Sequence, residues 1–220
     1  MKLSKQTLEI FKNFSTINSN ILIRPGNVLT TISPQKNILA KATVEEEFPV
    51  EVGIWDLNKF LAAVGLFDDP DFDFQEKSVT IRGGGSSVKY YYSEPKLLTV
   101  PTQEIRTPAS AIRFHITQED LQDVLKAAAV LQLPNLEVRG DDTNVGIVAL
   151  EKMNVSSNEF SRDLKLIEKN VKEQFYTYTF KTENLKLIRG NYNVNITENI
   201  VSEFVNTSLD LTYWIALEPA

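Results

Sequence analysis

The chain has 220 residues, 42% hydrophobic and 24% charged, a globular balance with room for one large domain or two of ordinary size. It has no cysteine for a disulfide, thiolate metal site or thiol nucleophile, no apolar run near the roughly 18 residues that cross a bilayer, and no signal-peptide pattern in residues 1–5, so a cytoplasmic protein is expected. Net charge is -6, from 29 acidic and 23 basic residues, and both halves are mildly acidic, which excludes a basic tail and requires any nucleic-acid contact to come from locally sorted charge.

The first predicted element is a helix over 4–14, with Ser4 as N-cap and Leu3, Ile10, Phe11 and Phe14 as an apolar stripe. Strand patterns follow over 20–23, 28–32, 38–43 and 48–52, with a hairpin turn at Pro25-Gly26-Asn27. Glu45-Glu46-Glu47 reads as a solvated loop or strand edge, where charge discourages edge pairing. Asp56 caps a second helix over 57–64. Strands over 72–74 and 79–82 precede Gly83-Gly84-Gly85 and a strand over 88–92. Residues 94–108 hold Pro95, Pro101 and Pro108 and sustain no period, so they read as an extended linker. The resulting organisation is an N-terminal domain 1–95, a linker 96–108 and a C-terminal domain 109–220.

Beyond the linker the order repeats. Thr117 caps a helix carrying Leu121, Val124, Leu125, Ala128 and Leu131 on one face, with Glu119 and Asp120 in its first turn, where they favour the helix dipole. Strands are predicted over 135–139, 145–150, 163–167 and 174–180. Thr182 opens a fourth helix to 188, stopped by Gly190, and strands over 192–196, 200–204 and 209–217 complete the pattern. Segment 154–173 is more charged than strands usually are and suggests a long hairpin excursion. Ser4 and Thr117 lie 113 positions apart, and the same offset pairs Leu8 with Leu121 and Phe11 with Val124. Glu94-Pro95 and Glu218-Pro219 are offset by 124, as are Tyr90 and Trp214. The fold class is therefore α+β, built as two similar tandem domains with antiparallel sheets and two short helices each.

No catalytic set emerges. His115, the sole histidine, alternates with Phe114 and reads as a surface strand residue, too isolated for a zinc site or a histidine-based triad. The glycine run lacks the lysine and serine or threonine of a phosphate cradle and precedes a strand, so it reads as a hairpin tip. Asp68-Asp69, Asp71 with Asp73, and Asp141-Asp142 sit in turn-like sequence. No enzyme, metal or cofactor is expected.

Basic residues are placed more suggestively. At about 100° per residue, Lys5 and Lys12 fall within about 20° of each other, opposite the apolar stripe. Lys59 opens the second helix, Lys126 lies opposite Leu121 on the third, where Glu119 and Asp123 share its face, and Lys186 with Arg189 belong to the fourth. Each alone is an ordinary solvated side chain. As a set they gain meaning if several subunits gather their helices around one hole, where symmetry multiplies a modest charge.

Met1-Lys2-Leu3-Ser4-Lys5, Leu8, Lys12-Asn13-Phe14 and Ile17-Asn18-Ser19 resemble the first helix of the sliding clamps of large tailed bacteriophages, which are related in fold to PCNA. Asp56-Leu57-Asn58 with Phe60-Leu61, Gly190-Asn191-Tyr192, and 213–218 (Tyr-Trp-Ile-Ala-Leu-Glu) resemble later parts of the same family in the same order. The resemblance implies a homotrimeric ring of two-domain subunits that encircles duplex DNA without reading its sequence. It further implies opening and closing by an ATP-driven clamp loader, tethering of a DNA polymerase, and support of late viral transcription. The hole-facing candidates it implies are Lys5, Lys12, Lys59, Lys126, Lys186 and Arg189. Partners are expected to insert a hydrophobic peptide near the linker and C-terminal strand, at Leu97, Leu98, Val100, Trp214, Ala216 and Leu217. Ordinary core is the competing reading of those six. The alternative function is a non-enzymatic phage structural or assembly protein forming rings or tubes. An acidic DNA mimic is a third reading, against which the helical lysines argue.

Overall fold

The computed structural model describes residues 1–102, 109–154, 156–197 and 201–219, and the chain divides into two units, Met1–Glu104 and Ile105–Ala220. The end of the predicted linker, 103–108, and the first residue of the predicted strand 200–204 lie outside the described residues.

In the first unit, α1 (Lys5–Ile17) starts where extended Ser4 accepts a hydrogen bond from the Thr7 amide at 3.1 Å, satisfying one of the orphan donors of the first turn. Ile10, Phe11, Phe14 and Ile17 are buried, whereas Lys5 and Lys12 are exposed. α2 (Leu57–Val64) starts the same way, with Asp56 accepting from the Lys59 amide at 3.0 Å. β1 (Ile21–Ile23) pairs antiparallel with β4 (Val52–Ile54), and β2 (Gly26–Ile32) with β3 (Ile38–Phe48). β5 (Asp71–Phe74), β6 (Ser78–Gly83) and β7 (Ser86–Tyr91) form a third sheet. The β6–β7 turn is the glycine run: Gly84 and Gly85 have φ of 56° and 80°, as a two-residue hairpin of matching twist demands. An edge-to-face aromatic chain, Phe48–Phe11–Phe60–Tyr90, links helices and strands, with centroids 6.3, 6.5 and 5.3 Å apart.

Three expectations for this unit are corrected. Pro25-Gly26-Asn27 is a corner rather than a hairpin turn, because β1 and β2 belong to different sheets. The predicted strand 48–52 does not exist as one element: Phe48 ends β3, and pairing resumes at Val52. The three glutamates lie within β3, where the register slips from Val28 facing Thr43 to Gly26 facing Phe48. That slip lets half-buried Glu46 reach α1, where it accepts from the Ser4 amide and, at 2.5 Å, from the Thr7 hydroxyl.

In the second unit, β8 (Ser110–Ile116) leads into α3 (Gln118–Leu131). Thr117 accepts from the Asp120 amide at 3.1 Å while Asp120 accepts from the Thr117 amide and hydroxyl, a complete capping box. The strands are β9 (Asn135–Gly140), β10 (Val145–Leu150), β11 (Phe160–Lys169), β12 (Tyr176–Lys181), β13 (Tyr192–Thr197), β14 (Val201–Asn206) and β15 (Leu211–Ala216). They run antiparallel in the order β12-β9-β10-β11-β8-β13-β14-β15. α3 packs on β10 and β11. Half of the charged segment 154–173 is β11, which pairs with β10 over its first half and β8 over its second.

The predicted fourth helix is absent. Only Thr182–Asn184 coils, as a 3-10 turn, and Leu185 breaks it with ψ of 58°. The chain then hangs from two buried tyrosines: the Tyr213 hydroxyl accepts from the Ile188 amide at 3.1 Å, and the Tyr192 hydroxyl donates to the Ile188 carbonyl at 2.6 Å. No described helix is long and apolar enough to cross a membrane.

Candidate nucleic-acid interface and partner-docking residues

Lys5 and Lys12 emerge from the solvent face of α1 because the opposite face fills the core. Lys59 stands in the first turn of α2, 3.5 Å from its own N-cap, Asp56, so part of its charge is compensated locally. In the second unit, exposed Lys126 and Arg189 border one open cleft of about 440 Å³, with Gln118, Gln122 and Gly190. Arg189 and exposed Lys186 stand on the loop that Tyr213 and Tyr192 suspend, not on a helix. The two tyrosines are supports of this loop that sequence periodicity leaves unmarked, since each reads as one more inward strand residue. Burial raises both hydroxyl pKa values, that of Tyr192 to about 12.

Two of the acidic residues of α3, Asp120 and Asp123, pair with an arginine of the sheet. Arg162 of β11 lies 2.7 Å from Asp120 and 3.6 Å from Asp123. Burial pushes the Asp120 carboxyl upward, but hydrogen bonds from Thr117 and Arg162 outweigh it and hold the pKa below the usual carboxylate range. Glu46 behaves likewise, with burial overcome by hydrogen bonds from Thr7 and Ser4. The groups considered for chemistry have structural roles. Asp141 accepts from the Thr143 and Asn144 amides, both at 2.8 Å, which lowers its pKa to about 2 and closes a turn. His115 faces the Asn193 side chain across a strand pair at 3.1 Å. Among the described residues no cluster of three or more histidine or acidic side chains is placed to hold a metal.

The six partner-docking candidates divide by strand and turn geometry. Leu97 ends a 3-10 turn (Pro95–Leu97) and is 57% exposed, whereas Leu98 is 8% exposed and packed on Gly53. Val100 is half-buried. On β15 the side chains alternate: half-buried Trp214 and Ala216 share one face, and Tyr213, Ile215 and buried Leu217 follow the other. Leu98 and Leu217 therefore sit in the cores of their units, and Leu97, Val100, Trp214 and Ala216 keep accessible surface.

A family model described as DNA polymerase processivity factor matches residues 2–98, and one described as gp45 sliding clamp, C terminal, matches residues 113–219. The sliding clamp of Vibrio phage KVP40 is 33% identical over 222 residues, covering 99% of each chain. That of Escherichia phage RB69 is 28% identical, covering 99% of this chain and 97% of its own. Among solved structures, A. fulgidus PCNA bound to the C-terminal region of FEN-1 superposes with a TM-score of 0.71 at 12% identity, covering 97% of this chain and 95% of that one. Two units of capped helices and antiparallel sheets, matched end to end by these families and relatives, identify the chain: it belongs to the sliding-clamp family of DNA polymerase processivity factors.

Proposed function

We propose that three copies of this chain close into a ring around duplex DNA and tether the replicative DNA polymerase without performing catalysis. An ATP-driven clamp loader opens and closes the ring, and the ring also supports late viral transcription in the host cytoplasm. Lys5, Lys12, Lys59, Lys126, Lys186 and Arg189 face the DNA. Partners dock a short apolar peptide, for which the accessible candidates are Leu97 and Val100 in the first unit and Trp214 and Ala216 in the second. The observation that carries this reading is that a chain of net charge -6 exposes basic side chains on the outward faces of α1, α2 and α3. Charge sorted in this way attracts phosphates at long range and reads no bases. Closure into a ring is supported by β7, which among the described residues is paired only on its β6 side and so presents a free row of backbone donors and acceptors. The peptide surface is supported by A. fulgidus PCNA, solved with the C-terminal region of FEN-1 bound.

Native mass spectrometry is expected to give a trimer; a monomer, or large tubes, at all concentrations would overturn the ring. After loading, the protein should stay on nicked circular DNA and run off the same DNA once linearised. Lys5→Glu, Lys12→Glu and Lys126→Glu together should reduce loaded clamp at least tenfold while leaving the melting temperature and the trimer unchanged. Wild-type loading by that variant would remove these lysines from the DNA interface.

A further inference from the structure

After β7 the chain does not simply lead away as a linker. Residues 93–100 form a strap lying on the first unit, hydrogen-bonded to it at two places without joining a sheet. The Ser93 amide donates to the Gly53 carbonyl at 2.9 Å, and β4 can receive it so closely only because residue 53 has no side chain. A Cβ there would lie 2.3 Å from the Ser93 carbonyl oxygen and 3.2 Å from Leu98 Cδ1. The Leu97 and Leu98 amides then fold back on the Glu94 and Pro95 carbonyls, both at 3.0 Å, which separates the two leucines: one outward, one into the core. The second fastening is a pair of asparagines. Asn20 Oδ1 accepts from the Thr99 amide at 2.9 Å. Asn18, only 3% exposed, donates through Nδ2 to the Ile32 carbonyl at 2.8 Å and the Thr99 carbonyl at 3.3 Å, and its Oδ1 accepts from the Asn20 amide at 3.1 Å. Both backbone polar groups of Thr99 are thus met by side chains, in a segment where no ladder exists to meet them.

We propose that Asn18 and Asn20 are positioning residues for partner docking: by gripping Thr99 they hold the strap in the one form that turns Leu98 inward and leaves Leu97 and Val100 displayed. This rests on the reading that an apolar partner peptide docks on the strap, and it adds what preorganises that surface. A strap ordered before binding loses less conformational freedom when the peptide arrives, so the grip appears as affinity. The two asparagines use opposite chemistry, Asn20 as acceptor and Asn18 chiefly as donor, so one substitution type separates them. Asn20→Asp keeps an oxygen for the Thr99 amide. Asn18→Asp replaces the donor with a carboxylate facing two carbonyl oxygens.

The test uses the assembled clamp and a fluorescent peptide carrying the clamp-binding segment of its cognate DNA polymerase, with hydrogen exchange at the Thr99 amide as a second readout. Asn20→Ala should deprotect Thr99 and weaken the peptide about tenfold, equivalent to about 1.4 kcal/mol, with the clamp still folded and assembled. Asn20→Asp should restore both, and Asn18→Asp should abolish both. If Asn20→Ala fails to fold, Asn20→Ser, whose hydroxyl is too short to reach Thr99, replaces it with the same expected results. Leu97→Asp tests the docking reading by itself, since it leaves the grip intact. A peptide that tolerates Leu97→Asp overturns docking on the strap, and the positioning role with it. A peptide weakened by Leu97→Asp but unaffected by the loss of Thr99 protection in Asn20→Ala overturns the positioning role alone.

Discussion

Glu46 holds the N-terminus of α1 from a neighbouring strand, whereas α3 carries its own carboxylate, Asp120, steadied by Arg162. Either arrangement places negative charge where the helix dipole and the unpaired first-turn amides favour it. Because both carboxyls have depressed pKa values in the folded chain, each contributes stability that is present above the unfolded value of about 4 and is lost as pH falls through the lower folded value. Glu46→Gln should therefore lower the unfolding free energy by about 1 kcal/mol at neutral pH, and its difference from wild type should shrink as the medium is acidified below about pH 4. Urea titrations across that range measure it, and equal midpoints at neutral pH would remove Glu46 from the cap. The Tyr213 hydroxyl accepts from the Ile188 amide. Tyr213→Phe strands the Ile188 N–H and should cost about 1–2 kcal/mol, with faster proteolysis around Lys186 and Arg189.

Among the elements, those announced by local chemistry could be read from the sequence. Ser4, Asp56 and Thr117 mark helix starts, Gly84-Gly85 marks a hairpin, and alternation marks β13. What failed was set by partners distant in sequence. Thr182 looks like an N-cap, yet the segment after it is too short to nucleate a helix against the pull of Tyr192 and Tyr213 on Ile188. Pro25-Gly26 has turn residues, and only the pairing of β1 with β4 makes it a corner. The exposure of Lys5, Lys12, Lys59 and Lys126 was legible because amphipathic spacing fixes the outward face of a helix, whereas Lys186 was assigned to a helix that does not form. The docking residues were less so: apolar character alone does not say which side of an extended segment meets solvent, and Leu97 differs from Leu98 only by the turn at Pro95. The strap has its own weak point at Gly53. Gly53→Ala must push Ser93 away from β4 and should destabilise the protein by about 1–3 kcal/mol, read as a lower melting temperature; an unchanged melt would mean that the strap does not rest there.

For the whole molecule, the proposed encirclement and electrostatic attraction are separable by salt. Phosphate contacts weaken steeply with ionic strength, with a log–log slope of about -0.9 per contact, whereas a closed ring on circular DNA is retained by topology. Raising salt should therefore abolish binding of unloaded protein to DNA while barely changing the lifetime of loaded clamp on nicked circles. Equal sensitivity of the two would leave charge, not closure, as the hold.

α1 ends at Asn18, whose amide closes the last turn on the Phe14 carbonyl and whose side chain reaches Thr99. Adding or deleting one residue inside this helix would swing Asn18 by about 100° around the axis and release the strap. The helix is thus a spacer of fixed count. Its solvent-facing residues are free to drift, but insertions and deletions there should be tolerated far less well than substitutions.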